Sequence, residues 1–370
     1  MKVGESVRIL VGGAWQWPWY EQACAEALRS LGYEVQRFSW DERFERFVPG
    51  QVEPVPLSQM ADWQNRAVWG PRVFGINWDL FKAIRLSQPQ ILLAYRATHI
   101  FPSTLRAIRR ACPGTLLVQY CNDDPFSPNA SKILWRHLLR SIPIYDLHFI
   151  YRSHNIADFE NAGARQVRLL RSYYIAERNY RVTLSESDSR FICDVVFAGH
   201  YENDWRVSCL EAIMQMGFRL NLFGGGWARA AAHLSPASTL RQLYPVAPVV
   251  DEDYRKGLSG AKIALNFLSK LNRDTYTRRN FEIPATGTFM LSEYSPDLAA
   301  LFEEAREAEF FRSKEELIDK VGYYLTHDAE REAIAARGRE RVLRDGHDVT
   351  SRMRQMLNSI SELTGEKCDG

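Results

Sequence analysis

A chain of 370 residues is too long for one ordinary core and suits two domains of common size. Hydrophobic content of 46% with 25% charge excludes large-scale disorder, and a net charge of +2 gives no nucleic-acid footprint unless the cations cluster on one face. The six cysteines (Cys24, Cys112, Cys121, Cys193, Cys209, Cys368) are scattered with no C-x-x-C pair, which argues against a zinc ribbon or disulfide scaffold and fits a reducing compartment.

No apolar run reaches the length of a membrane span, and polar Gly4-Glu5-Ser6 stands where a signal peptide would need its apolar core. The expectation is a cytoplasmic chain. Ten tryptophans exceed ordinary core filling, so some are candidates for stacking on a ligand.

In chain order, "VRILVGG" reads as a buried strand, "YEQACAEALRSLG" as a helix closed by Gly32, and "YEVQRFSW" as the next strand. "VEPVPLSQ" reads as a loop, followed by an aromatic, mostly helical stretch to Arg85. "PQILLAYR", "GTLLVQYCNDD", "YDLHFIY" and "RQVRLLRS" are short apolar runs separated by helical segments such as "FPSTLRAIRRAC". Such alternation predicts right-handed βαβ units and a parallel sheet.

Tyr173 to Asp194 is polar and irregular, with "RVTLSESDSR" the linker candidate. The alternation then restarts with strands "DVVFAGH", "FRLNLFGGG", "KIALNFL" and "TFMLSE", and helices "WRVSCLEAIMQMG", "DEDYRKGLSGA" and "FEIPATG". Pro284 suits a first helical turn. The tail reads as helices: a capping box from Ser313 to Glu316, Asp328 capping "AEREAIAARGRERVL", and a last amphipathic stretch "DVTSRMRQMLNSISEL". The expected organisation is α/β: two Rossmann-like domains, 1–175 for the acceptor and 176–348 for the donor. A helix over 349–370 crosses back to the first. The ligand belongs at the carboxyl ends of the strands, in the cleft between facing lobes.

Two stretches carry the chemistry. "GGAWQWPWYEQ" follows the first strand, where two glycines before a helix suit a phosphate cradle. "LNRDTYTRRNFEIPATGTFMLSE" places Asp274, Arg278 and Arg279 ahead of Glu282. Adjacent arginines before a helix suit an anion, and a carboxylate can accept both hydroxyls of a ribose diol. For each the bland reading also stands: the arginines as a solvated face, Asp274 as a loop acid, Glu282 as a first-turn acid beside the helix dipole.

"VVFAGHYENDWR", "LNLFGGGW", "AKIALN", "RRNFEIPATGTFMLSE" and "KVGYYLTHDAEREAIAARGRERV" together resemble the CgeB-like (spore-maturation type) glycosyltransferases. These are relatives of the retaining GT-B enzymes with a Glu-x7-Glu motif. "ILLAY", "YCNDDPF" and "YDLHFIYRSHNIADFENAGARQV" resemble the family more loosely. The resemblance implies that Glu282 binds the ribose, that Asp274 replaces the glutamate contacting the donor sugar, and that Arg206 faces the donor diphosphate. Gly199, His200, Gly225, Arg278, Arg279, Asn280 and Phe281 would line the same site, with the amides between Asp274 and Glu282 completing it.

It further implies a nucleotide diphosphate sugar (UDP-, GDP- or dTDP-linked) as donor substrate, no separate cofactor, no metal, and retention of configuration. Asp123 and Asp124 end an apolar strand, so either is a candidate to position the acceptor or take its proton, and an ordinary turn is the rival reading. With the donor on the second lobe, Gly13, Trp15 and Trp17 become candidates for the acceptor wall, with packing as their rival. Arg96 and His99 follow a strand near the same edge. The arginines at 136, 140, 152, 165, 168 and 171 read as a solvated face, or as a patch for an anionic acceptor or a peripheral membrane contact. The acceptor itself is open: glycan, lipid-linked, protein or small molecule. An epimerase of the same fold and a non-catalytic nucleotide-sugar-binding protein are the alternatives; a phosphorylase lacks its lysine-bearing cofactor segment.

Overall fold

A computed structural model describes residues 7–44 and 57–365. The loop reading at 52–56 and Cys368 lie outside them. Two compact units divide the chain, one of residues 1–172 with 349–370 and one of residues 173–348.

The first unit runs β1 (Arg8–Gly13), a turn of π-helix (Pro18–Gln22), α1 (Ala23–Ser30), β2 (Glu34–Ser39), α2 (Gln59–Ala67), α3 (Pro71–Ser87), β3 (Ile91–Tyr95), α4 (Pro102–Ala111), β4 (Leu116–Cys121), α5 (Lys132–Ser141), β5 (Leu147–Ile150), α6 (Asn155–Asn161) and β6 (Val167–Leu169). Its strands form one parallel sheet in the order β2-β1-β3-β4-β5-β6. Every residue of β3 is buried, as a parallel strand covered on both faces requires. Ser58 and Ser131 cap α2 and α5 by accepting the Ala61 and Leu134 amides at 3.4 and 3.2 Å. Leu10, Leu92, Leu117, Ile76 and Leu105 lie at the centre of its core.

The second unit runs β7 (Cys193–Ala198), α7 (Arg206–Gln215), β8 (Leu220–Phe223), α8 (Trp227–Ala231), α9 (Asp251–Ser259), β9 (Ala261–Asn266), α10 (Arg279–Ala285), β10 (Phe289–Glu293), α11 (Pro296–Leu301), β11 (Glu309–Phe311), α12 (Lys314–Thr326) and α13 (Asp328–Arg344). Its sheet is also parallel, ordered β11-β10-β9-β7-β8. A last helix, α14 (Val349–Thr364), belongs to the first unit. It buries Met353, Met356 and Ile360, packs on α1, and donates from Arg352 Nε to the Ser172 carbonyl at 3.2 Å.

Several local expectations change. "RVTLSESDSR" is packed onto the second unit rather than hanging as a linker: Val182 N donates to Ser259 Oγ at 3.1 Å and Asp188 pairs with Lys256 at 2.9 Å. Lys256 and the Ser185 groups hold the Asp188 carboxyl down to about 2. α10 begins before Glu282, so Pro284 sits in its last turn, ahead of the Gly287 exit at φ +70°. Ser313 does cap α12, but Glu316 returns its carboxylate to the Arg312 amide, one residue short of a closed box. Asp328 is the first residue of α13 and pairs with Arg331 instead of capping. Two helices, α8 and α11, and the three-residue β11 were too short to register as periodic patterns.

Candidate nucleotide and acceptor sites

In a doubly wound sheet, a crevice opens at the carboxyl edge where the strand order reverses. In the second unit the chain leaves β7 for β8 on one side and returns in β9 on the other. The reversal therefore lies between β7 and β9, whose carboxyl ends lead into Gly199–His200 and into the loop that carries Asp274.

Glycine builds this edge. Gly224, at φ +142°, follows β8 so closely that a Cβ there would overlap the Gly199 carbonyl. Gly199 N donates to Phe223 O at 2.8 Å, Trp227 Nε1 donates to Gly199 O at 2.9 Å, and Tyr201 N donates to Gly225 O at 3.0 Å. A Cβ on Gly225 would meet the His200 ring at 3.0 Å. The packing around its ring and then the Arg279 charge hold His200 below the ordinary imidazole range. It is thus neutral near pH 7, able to donate from one nitrogen and accept at the other.

Glu282 is buried, accepting the Tyr254 hydroxyl at 2.8 Å on one oxygen and lying 2.8 Å from Arg278 Nε with the other. Burial and the Glu282 charge push the Tyr254 hydroxyl well above its usual range. A carboxylate has about four acceptor positions, so these two partners leave room for a diol. Arg279 acts electrostatically on both His200 and Tyr254, and its Nε is buried with no acceptor among the described residues. A buried guanidinium nitrogen without an acceptor is costly unless an anion arrives to take its hydrogen. Gly225, His200, Arg279, Tyr254, Glu282 and Arg278 thus form one linked group on the second unit. Tyr254 had no sequence signal beyond lying in a helix three residues after an acidic start.

Three expected members of this site have other duties. Arg206 is buried and bound to Asp204 through two bonds of 2.7 and 2.8 Å, with Glu202 at 3.4 Å and the His200 carbonyl at 2.8 Å. Two carboxylates neutralise it, so it braces the loop after β7 and is not an open cation. Asn280 is fully buried, accepting from Thr277 N and Asn266 Nδ2 and donating to Ser292 Oγ. Phe281 is core, packed on Tyr276 and His347. The amides of Thr277, Asn280, Phe281 and Glu282 are likewise spent inside the loop and first turn. Asp274 stands in the loop after β9, its amide bonded to Ser269 O at 2.9 Å.

In the first unit the order reverses between β1 and β3. Three non-glycine residues with positive φ gather at those strand ends: Trp15 (58°), Arg96 (59°) and Ala97 (55°). Such strain persists only where packing over-determines it, and it concentrates at ligand sites. The second glycine of "GG" has a specific reason. A Cβ on Gly13 would collide with the Glu21 carboxylate, which accepts the Ala14 amide at 3.0 Å. Burial raises the Glu21 carboxyl to about 7, against the lowering pull of those amides and of Arg96. Glu21 carries no pattern of its own in the sequence, because a Gly-Gly pair does not announce which side chain fills its space.

Asp123 pairs with Arg96 at 2.7 Å and remains partly exposed at this edge. Asp124 does not: it is buried, accepting from Phe126 N at 3.0 Å and Asn155 Nδ2 at 2.9 Å, which locks the loop after β4 to α6. Trp15 is buried too, its Nε1 donating to Phe38 O at 3.0 Å and Arg37 lying over its ring, so no face is open for stacking. Trp17 is half-buried and stacks on Trp19 with ring centres 5.0 Å apart. His99 is core, bonded to Thr98 and Asn65. Nor do the arginines of 136–171 form one patch: Arg152 is buried against Asn122 O, and Arg165 lies with Asp146. Among the described residues no group of three His, Cys, Asp or Glu side chains has metal-ligand geometry. None of the described helices is long and apolar enough to cross a membrane.

Residues 206–358 match the family described as glycosyl transferase-like. Among solved structures, the chain is similar to sucrose-phosphate synthase from Thermosynechococcus elongatus (14% identity, TM-score 0.66, covering 97% of this chain and 99% of that one). It is also similar to HepE of Anabaena in complex with UDP-glucose (12%, 0.62, 96% and 99%) and to a glycosyltransferase from Rickettsia africae (11%, 0.67, 98% and 100%). The fold is GT-B. No curated protein matches the chain by sequence.

Proposed function

We propose that the protein is a CgeB-like GT-B glycosyltransferase that moves a sugar from a nucleotide diphosphate donor to an acceptor with retention of configuration. The observation that carries this reading is Arg279: a buried guanidinium nitrogen without an acceptor among the described residues, its charge acting on His200 and on the Tyr254 that binds Glu282, where the strand order of the second sheet reverses. Arg279 and Arg278 would take the diphosphate, Glu282 the ribose diol through the acceptor positions that Tyr254 and Arg278 leave, and Asp274 the donor sugar. Guanidinium groups stabilise a departing diphosphate without calling on a metal. The acceptor would be held by the first unit, near Gly13, Trp17 and the Arg96–Asp123 pair. HepE bound to UDP-glucose supports trying uridine donors first. A cytoplasmic supply of nucleotide sugars fits the scattered cysteines and the absence of a C-x-x-C pair in the sequence.

Calorimetry with UDP, GDP and dTDP tests the site. Arg279→Ala is expected to weaken the preferred nucleotide by at least about tenfold, the worth of one charge-assisted pair. Glu282→Gln should cost a similar factor; Glu282→Ala should abolish binding, although it also strands Tyr254. Unchanged affinity in Arg279→Ala and Glu282→Gln, or a parent protein blind to all three nucleotides, would refute the assignment.

One observation favours a second reading. With Arg206 neutralised by Asp204 and Glu202, one cation that the family turns toward the diphosphate is withdrawn. A protein that binds nucleotide sugars without turnover is consistent with that. Release of labelled sugar from the donor, even slow hydrolysis, separates the two readings. Conversion of the donor with no acceptor present would instead mark an epimerase.

A further inference from the structure

Among the described residues, the first unit carries an exposed aromatic surface. Its α2, α3, the turn between them and the start of α5 contain half of the large apolar side chains that stand exposed among the described residues. All three exposed tryptophans are here: Trp63 (60% exposed), Trp69 (48%) and Trp78 (60%). α3 explains the arrangement by its periodicity. Val73, Ile76, Leu80 and Ile84 face the core, while Phe74, Trp78 and Lys82 recur every four residues along one flank. Phe74 packs edge-on against Trp69 with ring centres 4.8 Å apart, and Arg136 of α5 lies over the Trp69 ring while its Nη2 donates to Val68 O. Ile133, one turn before Arg136, is exposed as well. On α2, Met60 and Trp63 share an outward face.

Cations are interleaved with these rings. Lys82 lies over Trp78 and Arg85 over Phe81. α5 contributes Lys132, Arg136 and Arg140 and no acid. The two acids of α2 and α3 are already engaged, Asp62 with Arg66 at 2.7 Å and Asp79 with Arg43 and Lys82.

We propose that this face docks on an anionic phospholipid bilayer, the tryptophans entering at the headgroup level and the lysine and arginines pairing with lipid phosphates. Indole rings are amphipathic and settle at membrane interfaces, and basic side chains beside them add attraction to acidic lipids. A second copy fits the face poorly, because a two-fold contact would set the cations of one chain against those of the other. The surface lies on the first unit and stands independently of the nucleotide site.

The experiment is co-sedimentation of the full chain with vesicles of phosphatidylcholine alone and of phosphatidylcholine mixed with phosphatidylglycerol. Binding is expected only to the acidic vesicles, with a blue shift of tryptophan emission and loss at high salt. Lys82→Gln with Arg85→Gln should weaken partitioning by about fivefold per cation removed. Trp63→Ser with Trp78→Ser should remove most of the emission shift, with circular dichroism unchanged. No binding to acidic vesicles, or binding that neither double variant weakens, overturns the proposal. So does a dimer in solution that dissociates in the tryptophan variant, since it would assign the face to a second copy.

Discussion

Glu21 gives the sharpest test of how the first strand of the chain is built. Its carboxyl is raised from 4.5 to about 7 by burial, the amide bonds only partly offsetting that. A raised native value means that the folded protein holds a proton which the unfolded chain has released between those two pH values. The stabilisation is therefore complete below about pH 4.5 and is lost as pH rises through about 7. At about 1.4 kcal/mol per unit, the shift amounts to about 3 kcal/mol.

Glu21→Gln keeps the shape that Gly13 accommodates and an oxygen to accept the Ala14 amide, but it cannot ionise. The stability of the variant minus that of the parent should be flat below about pH 4.5 and rise by about 1.4 kcal/mol per pH unit. It should level off about 3 kcal/mol higher above about pH 7. A mismatched amide hydrogen would displace the whole curve without changing its slope. Urea unfolding followed by tryptophan fluorescence reads it, provided the slope on denaturant stays the same in both proteins. A difference curve that stays flat from about pH 4 to about pH 8 would refute the reasoning, since no proton would then be coupled to folding at this residue.

Two further outcomes concern the loops of the second unit. Asp204→Ala leaves the buried Arg206 charge with Glu202 at 3.4 Å and the His200 carbonyl at 2.8 Å, and a loss of about 3 kcal/mol is expected in chemical unfolding; a change within about 0.5 kcal/mol would mean the pair is not what holds the loop. Gly224→Ala adds a Cβ against the Gly199 carbonyl at a backbone angle closed to other residues, and should cost at least about 2 kcal/mol together with nucleotide affinity, as thermal unfolding and calorimetry would show.

A strand such as β3 was legible because a parallel strand buried on both faces must be a continuous apolar run, and a helix such as α12 because a serine cap and amphipathic spacing are local chemistry. The fold class follows from that alternation and is the GT-B fold. Of the candidate site, the chain itself offered Arg278, Arg279 and Glu282, since a cation pair and an acid on one turn are neighbours in sequence and in space. Tertiary structure alone decided which charges remain open. Arg206 and Asp124 look like site residues in the sequence, yet each is consumed by partners the fold brings to it: Asp204 and Glu202 for one, Asn155 of another element for the other. Conversely Glu21 and Tyr254 gain their importance from desolvation, and Arg96 from strand ends that meet only in the folded sheet. Hydrophobic period and capping are read over a few residues. The charge state of a side chain depends on what lies across from it, and that is set by packing.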